Sequence, residues 1–140
     1  MAALMVVTTP AAASTHSSGP PLITENFSPL ACHSNTTLGL EGCAEARLTR
    51  ADLLVNRELY VTFSQLTTAD ARRAFDRSEI SWMTYRRNAC LSVSAIFAGG
   101  TIAPLEFADC EVTADQNRSR DLHFFYRLLV QGHRAPPWPA

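Results

Sequence analysis

The sequence contains no lysine, so each of its 12 basic residues is an arginine. The 13 acidic residues leave a net charge of -1, and neither sign of charge forms a long block. Proteins that bind nucleic acid or an anionic membrane surface through their charge carry a basic patch, and this balance argues against such a patch. We therefore expect neither nucleic acid nor a charged membrane surface as the main partner.

Long apolar runs are also missing, since none approaches the roughly 18 residues that a membrane-spanning helix needs. We predict no membrane span. A short apolar run at residues 2–7, followed by three alanines at 11–13, resembles the end of a secretory signal peptide, although no basic residue follows Met1. We interpret 1–13 as a truncated signal peptide whose start codon lies upstream; the alternative is a disordered tail. The Ser-, Thr-, Gly- and Pro-rich residues 14–30 are predicted to be a flexible leader.

Motifs for metal, nucleotide and nucleophilic chemistry are absent as well. The sequence has no C-x-x-C and no H-x-x-x-H pair, which argues against zinc. Gly99-Gly100 opens no phosphate-binding motif. None of the histidines has an evident Ser or Cys partner: His16, His33, His123 and His133. We predict no catalytic residue, no metal, no cofactor and no enzymatic activity, with a small hydrolase as the least favoured alternative.

What the chain does have is apolar residues at spacings of three and four, which predict helices over about 38–63, 69–97 and 104–130. Asn35, Thr36 or Thr37 would cap the first helix, and Thr67 or Thr68 the second. The predicted buried face of the first helix contains Leu40, Ala44, Leu48, Ala51, Val55 and Leu59. That of the second contains Ala71, Phe75, Ser78, Trp82, Tyr85, Ala89, Val93 and Phe97. No period-2 alternation indicates a strand.

These segments predict an all-α fold, a small antiparallel three-helix domain made of two consecutive helical hairpins. The domain would cover residues 31–131, and the Pro-rich residues 132–140 would form an irregular tail. Beside the apolar stripe of the first helix, Asp52, Asn56 and Tyr60 repeat at steps of four. Such a polar stripe is either solvated or part of an internal network, and spacing alone favours solvation.

Four cysteines are compatible with two disulfides. Cys90 lies nine residues before Gly99, and Cys110 lies ten after Gly100, so an antiparallel helix pair brings them level. We predict a Cys90–Cys110 disulfide, which leaves Cys32 for Cys43. A Cys43–Cys90 bond stays open, because these two are nearly equidistant from the first turn. Disulfides would place the protein in an oxidising compartment, whereas four free thiols would suit the cytosol.

One ordered set of residues goes beyond these general features: Cys43, Ala51, Asp52, Val55, Asn56, Tyr60, Trp82, Tyr85, Arg86, Cys90, Gly99, Gly100, Ile102, Ala103, Pro104, Cys110, Arg118 and Leu122. With its spacings, this set resembles the bacterial LprI-like lysozyme-inhibitor family over about residues 32–129. Three positions depart from the family pattern, because Glu79 replaces a Gln, Arg87 an Asp and Asp115 a Thr. We therefore expect Glu79 or Asp115 to pair with Arg86 or Arg87.

The resemblance implies an all-helical domain that is secreted, periplasmic or held in the cell envelope. It implies a structural polar network of Asp52, Asn56, Tyr60, Trp82, Tyr85, Arg86 and Arg118. It also implies inhibition of lysozyme through protein–protein contact. Lysozymes are commonly basic, so acidic residues at the start of the third helix are candidates for partner binding: Glu106, Asp109 and Glu111. The alternative is an envelope interaction or structural domain with another partner, and the oligomeric state stays open.

Overall fold

The computed structural model describes residues 19–27 and 30–139. In these ranges the chain forms three helices and no strand. The helices are α1 (Thr37–Ser64), α2 (Ala69–Ile96) and α3 (Ala103–Leu129). The predicted all-α fold is confirmed, and every helix end lies within one residue of its expected position. The segment interpreted as a signal peptide lies outside the described residues.

Local signals explain where the helices begin. The Thr36 hydroxyl accepts a hydrogen bond from the backbone N–H of Gly39 at 3.0 Å, which caps α1. Thr68 caps α2 in the same way, accepting from the Ala71 N–H at 3.1 Å. A side-chain oxygen in this position satisfies one of the backbone N–H groups left free at a helix start. No side chain caps α3, which instead begins with Pro104 in its first turn.

Helix α3 contacts both of the other helices. It runs parallel to α1, since Arg47 meets Asp109 near one end and Glu58 meets Ser119 further along both helices. Because consecutive helices reverse direction at each turn, α3 runs antiparallel to α2. Charged side chains of all three helices meet inside this bundle and are described below. Among the described residues, no helix is apolar over a length that would cross a bilayer.

The apolar core has two parts. The larger part contains Ile23, Val55, Leu59, Phe63, Leu66, Phe75 and Leu122. The smaller part contains Ala44, Leu48 and Ala108, and lies where α1 meets α3. Full burial of a large apolar side chain stabilises a fold by about 1.5–3 kcal/mol. The predicted face of α1 is therefore largely confirmed, except that Leu40 is 40% exposed.

The predicted face of α2 is confirmed in part: Phe75 is buried and Ala71 and Trp82 pack against the larger core, whereas Ser78 and Phe97 are exposed. The fully buried residues are Phe75, Glu79, Arg86 and Cys90, whereas Tyr85 is 69% exposed. The prediction treated charged residues as solvated and so turned the helix towards Ser78 and Tyr85. In the structure two charged side chains lie on the buried stripe, because other helices supply partners for them.

Both preferred disulfides are present, Cys32–Cys43 and Cys90–Cys110, and the open alternative Cys43–Cys90 is wrong. The Cys90–Cys110 bond joins α2 to α3 with a Cα–Cα distance of 5.5 Å. The other bond holds the chain before α1 against the first turns of that helix. A Cβ atom on Gly42 would lie 2.7 Å from the Ala31 carbonyl oxygen, so this close approach requires glycine.

Residues 19–27, which we call the N-terminal strap, form neither helix nor strand and lie against the bundle. The Asn56 side chain holds the strap through two hydrogen bonds to Ile23, accepting from its N–H at 2.8 Å and donating to its carbonyl oxygen at 2.9 Å. The Ile23 side chain is buried in the larger core. These residues fall in the segment that the sequence predicts to be a flexible leader, and Ile23 within it makes both backbone and side-chain contacts with the bundle.

Candidate functional site

The Arg86 side chain lies at the centre of a cluster of buried charges to which every helix and the strap contribute. Its guanidinium contacts Asp52 of α1 at 2.7 Å and Glu25 of the strap at 2.9 Å. From α3, Asp115 lies 2.8 Å from the Arg86 Nε and Glu111 lies 3.5 Å from a terminal nitrogen. We call these five residues the Arg86 cluster. Arg86 thereby joins parts of the chain that are remote in sequence.

The charges of the Arg86 cluster do not balance, because one guanidinium faces four carboxyl groups. The Glu111 and Asp115 side chains are 0% and 1% exposed, and those of Asp52 and Glu25 are 8% and 12% exposed. Neither oxygen of Glu111 accepts a hydrogen bond from the described residues. Burying an ionised carboxyl group without such partners is costly, so the cluster favours bound protons.

The pKa values follow from this imbalance. Burial raises the pKa of Glu111 to about 7; the attraction of Arg86 lowers this pKa in part, and repulsion from Glu25 and Asp52 raises it further. Burial raises the pKa of Asp115 to about 8, again against the opposing effect of Arg86. Burial also raises the pKa of Asp52 above its usual value. Protons therefore bind to the folded cluster near neutral pH, where exposed carboxyl groups are ionised.

Two further buried acids lie outside the cluster. Glu79 of α2 is fully buried and forms a bidentate ion pair with Arg118 of α3. The Arg118 guanidinium also lies over the ring of Trp82, 5.6 Å from its centroid. Glu58 of α1 accepts a hydrogen bond from the Ser119 hydroxyl at 2.6 Å. Burial raises the pKa of both Glu79 and Glu58, and these contacts only partly lower it again.

The residues of the predicted polar network lie in separate groups in the structure. Asp52 and Arg86 belong to the cluster, while Asn56 holds the strap beside it. Trp82 and Arg118 instead form the contact with Glu79. Two residues of the prediction take no part, because the side chains of Tyr60 and Tyr85 are 64% and 69% exposed. Their inclusion in a buried network was wrong, since each lies on a helix face that turns towards solvent.

Several members of the buried charge set were not identified as such from the sequence, including Glu25, Glu58 and Glu111. A signal for Glu111 and Asp115 did exist, because they lie three and seven residues after Ala108, on the same face of the helix. The buried residues of that helix are Ala108, Glu111, Asp115, Leu122 and Tyr126. Of the expected charge pairs, Asp115 does meet Arg86, whereas Glu79 pairs with Arg118 and Arg87 lies over the ring of Phe107.

The three acidic residues proposed for partner binding have different surroundings. Glu106 is half-buried in the first turn of α3. Asp109 forms a 2.6 Å ion pair with Arg47, and both side chains remain nearly half exposed. The assignment of Glu111 as a surface residue was wrong, because its side chain is fully buried beside Arg86. An enclosed side chain cannot contact a partner protein, so only Glu106 and Asp109 remain candidates.

Comparison with models of known protein families finds a match. The model of the family described as Lysozyme inhibitor LprI matches residues 31–122. The chain belongs to the LprI family. No curated protein and no solved structure matches it. The matched span includes both disulfides and four residues of the Arg86 cluster, whereas Glu25 and the rest of the strap precede it.

The residues that match the LprI family model include most of the Arg86 cluster. Asp52, Arg86, Glu111 and Asp115 all lie inside the matched residues, so the centre of the cluster belongs to the family domain. Among the described residues, no group of three His, Cys, Asp or Glu side chains is placed to hold a metal ion. The buried charges of this LprI chain tie its helices to one another and to the strap.

Proposed function

We propose that this LprI-family chain inhibits lysozyme by binding to it and blocking access to its active-site cleft. The observation that carries the proposal is the family match over residues 31–122, which spans both disulfides and most of the three-helix bundle. Inhibition of this kind needs a stable surface and no catalysis by the inhibitor. Two disulfides and the Arg86 cluster supply such a scaffold.

Charge supports the same partner. Lysozymes are commonly basic, and complementary charge speeds and orients association between proteins. Glu106 and Asp109 lie near the start of α3 with part of each side chain open to solvent. We propose that these two residues face basic residues of the lysozyme. In the complex with lysozyme, the Arg47 side chain would still lie next to Asp109, with which it pairs in the free protein.

The disulfides support a location outside the cytosol, because such bonds persist in oxidising compartments. All four cysteines of the chain are paired in this way. We therefore propose that the protein acts in the cell envelope or after secretion, where a lysozyme would meet it. The carboxyl groups with the most strongly raised pKa values, Glu111 and Asp115, are buried away from any substrate, which supports a binding role over an enzymatic one.

The test is the rate at which c-type, g-type and i-type lysozymes clear a cell-wall suspension in the presence of the oxidised protein. We expect inhibition of at least one type that increases with dose. The Glu106→Ala/Asp109→Ala double variant should require about three- to tenfold more protein, since each rim charge contributes modestly to binding. Asp121→Ala, at an exposed acid further along α3, is the matched control and should inhibit like the wild type.

Two results would contradict parts of the proposal. If the folded, fully oxidised protein inhibits none of the three lysozyme types, the inhibitor function is wrong, and an envelope interaction with another partner takes its place. If the double variant inhibits as well as Asp121→Ala and the wild type, the two acids are not contacts but the function stands. Circular dichroism of every variant would establish that the helices are intact.

A further inference from the structure

We propose that residues 96–104, which comprise the end of α2, the turn and the start of α3, form the element that enters the sugar-binding cleft of the lysozyme. This inference rests on the proposed function and deepens it by assigning the surface that makes the contact. We call these residues the hairpin tip. Three features of the tip carry the assignment: its exposed apolar side chains, its rigid attachment and its lack of charge.

Three large apolar side chains are exposed at the hairpin tip. Ile96 is 77% exposed, more than any other large apolar residue in the described part of the chain. Ile102 and Phe97, on either side of the turn, are 41% and 36% exposed. Turns are normally polar, because water solvates their side chains. Grouped exposed apolar residues of this kind indicate a surface that is covered by a partner.

A disulfide and two hydrogen bonds restrain the hairpin tip. The Cys90–Cys110 disulfide joins the two helices below it. Nearer the turn, the Ser94 hydroxyl donates a hydrogen bond to the Ala103 carbonyl oxygen at 3.1 Å. Within the turn, the Gly100 N–H donates to the Phe97 carbonyl oxygen at 2.9 Å. A restrained loop loses little conformational entropy when it binds, so more of the free energy of its apolar contacts contributes to affinity.

The charge of the hairpin tip fits the chemistry of a lysozyme cleft. Lysozymes, like most glycoside hydrolases, cleave their substrate with a pair of carboxyl groups, so an acidic loop would be repelled in the cleft. No charged residue occurs between positions 88 and 105, and the first acid beyond the tip is Glu106. An uncharged apolar tip can therefore lie over the catalytic carboxyl groups while Glu106 and Asp109 remain outside, at the basic rim.

The test compares two identical substitutions on the same helix. Ile96→Asp places a negative charge at the tip, and Ile80→Asp places one at a residue that is 55% exposed, about 24 Å further down α2. Both side chains are open to solvent, so both variants should fold. We expect Ile96→Asp to raise the concentration for half-inhibition by about tenfold or more, as loss of a central interface contact does. Ile80→Asp should change it by less than about twofold.

A second measurement locates the contact on the lysozyme. Tri-N-acetylchitotriose, which occupies the sugar-binding cleft, should compete with the protein for lysozyme in a calorimetric titration. Equal inhibition by Ile96→Asp and the wild type, or binding that is unaffected by the trisaccharide, would overturn the assignment of the tip while leaving the inhibitor function in place. If the wild type inhibits no lysozyme, the proposed function is wrong, and the assignment of the tip is wrong with it.

Discussion

Replacing Glu111 by glutamine should raise the free energy of unfolding, and this increase should be larger at higher pH. Glu111 is fully buried, accepts no hydrogen bond from the described residues and contacts Arg86 only at 3.5 Å. Glutamine has nearly the same shape and carries no charge. The variant therefore removes the cost of ionising a buried carboxyl group and changes the packing little.

The magnitude follows from the pKa of Glu111, which is about 7 in the folded protein against an ordinary value of 4.5 in the unfolded chain. That difference corresponds to about 3 kcal/mol, because tenfold in a protonation equilibrium is about 1.4 kcal/mol. The folded state binds the extra proton between these two values, so the stability of the wild type falls as pH rises from about 4.5 to 7. Glu111→Gln should gain about 2–3 kcal/mol at pH 8 and less than about 1 kcal/mol at pH 5.

The assay is urea unfolding of the oxidised protein, followed by far-UV circular dichroism at pH 5, 6, 7 and 8. The free energy of unfolding is compared only where the m-value is unchanged. Asp121→Asn, at an exposed acid of the same helix, is the control and should stay within about 0.5 kcal/mol of the wild type. If Glu111→Gln is no more stable than the wild type at pH 8, or gains equally at pH 5, the charge imbalance of the cluster does not govern stability.

Two further substitutions test other contacts of the cluster. Arg86→Met leaves four buried carboxyl groups without their cation and should lower the free energy of unfolding by at least about 3 kcal/mol at pH 8 and by less at pH 5, measured by the same urea titration. Arg77→Met, at an exposed arginine of α2, should have little effect, and equal losses from the two changes would contradict this account. Asn56→Ala removes both hydrogen bonds to Ile23 and should cost about 1–3 kcal/mol while speeding proteolysis within the strap. Unchanged proteolysis relative to Asn88→Ala would show that Asn56 does not hold the strap.

Much of the helical fold was predictable because its signals are local. Apolar spacing identified the helices, and Thr36 and Thr68 mark helix starts through hydrogen bonds to residues three positions away. The Cys90–Cys110 bond was predictable from equal distances to a turn, because the rise per residue fixes how far each helix extends. The family resemblance likewise follows from the order and spacing of residues, and it is confirmed over residues 31–122.

The surroundings of the charged residues were less predictable. The resemblance implied an internal network that includes Asp52 and Arg86. Spacing alone treated charged residues as solvated, which turned the predicted face of α2 and left Glu111 on the surface. Glu111 is buried because its helix presents it to Arg86, 25 positions earlier in the chain. Spacing along one helix does not reveal whether another element brings a counter-charge.

The strap shows the same division between local and long-range information. Its composition predicts flexibility, whereas Ile23 bonds to Asn56, Glu25 pairs with Arg86 and Phe27 packs against the smaller core. The sequence by itself determined the helices, their ends, the preferred disulfides and the family, because each depends on neighbours or on fixed distances along the chain. Only the tertiary structure showed that Glu25, Glu58 and Glu111 join the buried charges, and which apolar residues remain exposed, because both depend on what the other helices bring alongside.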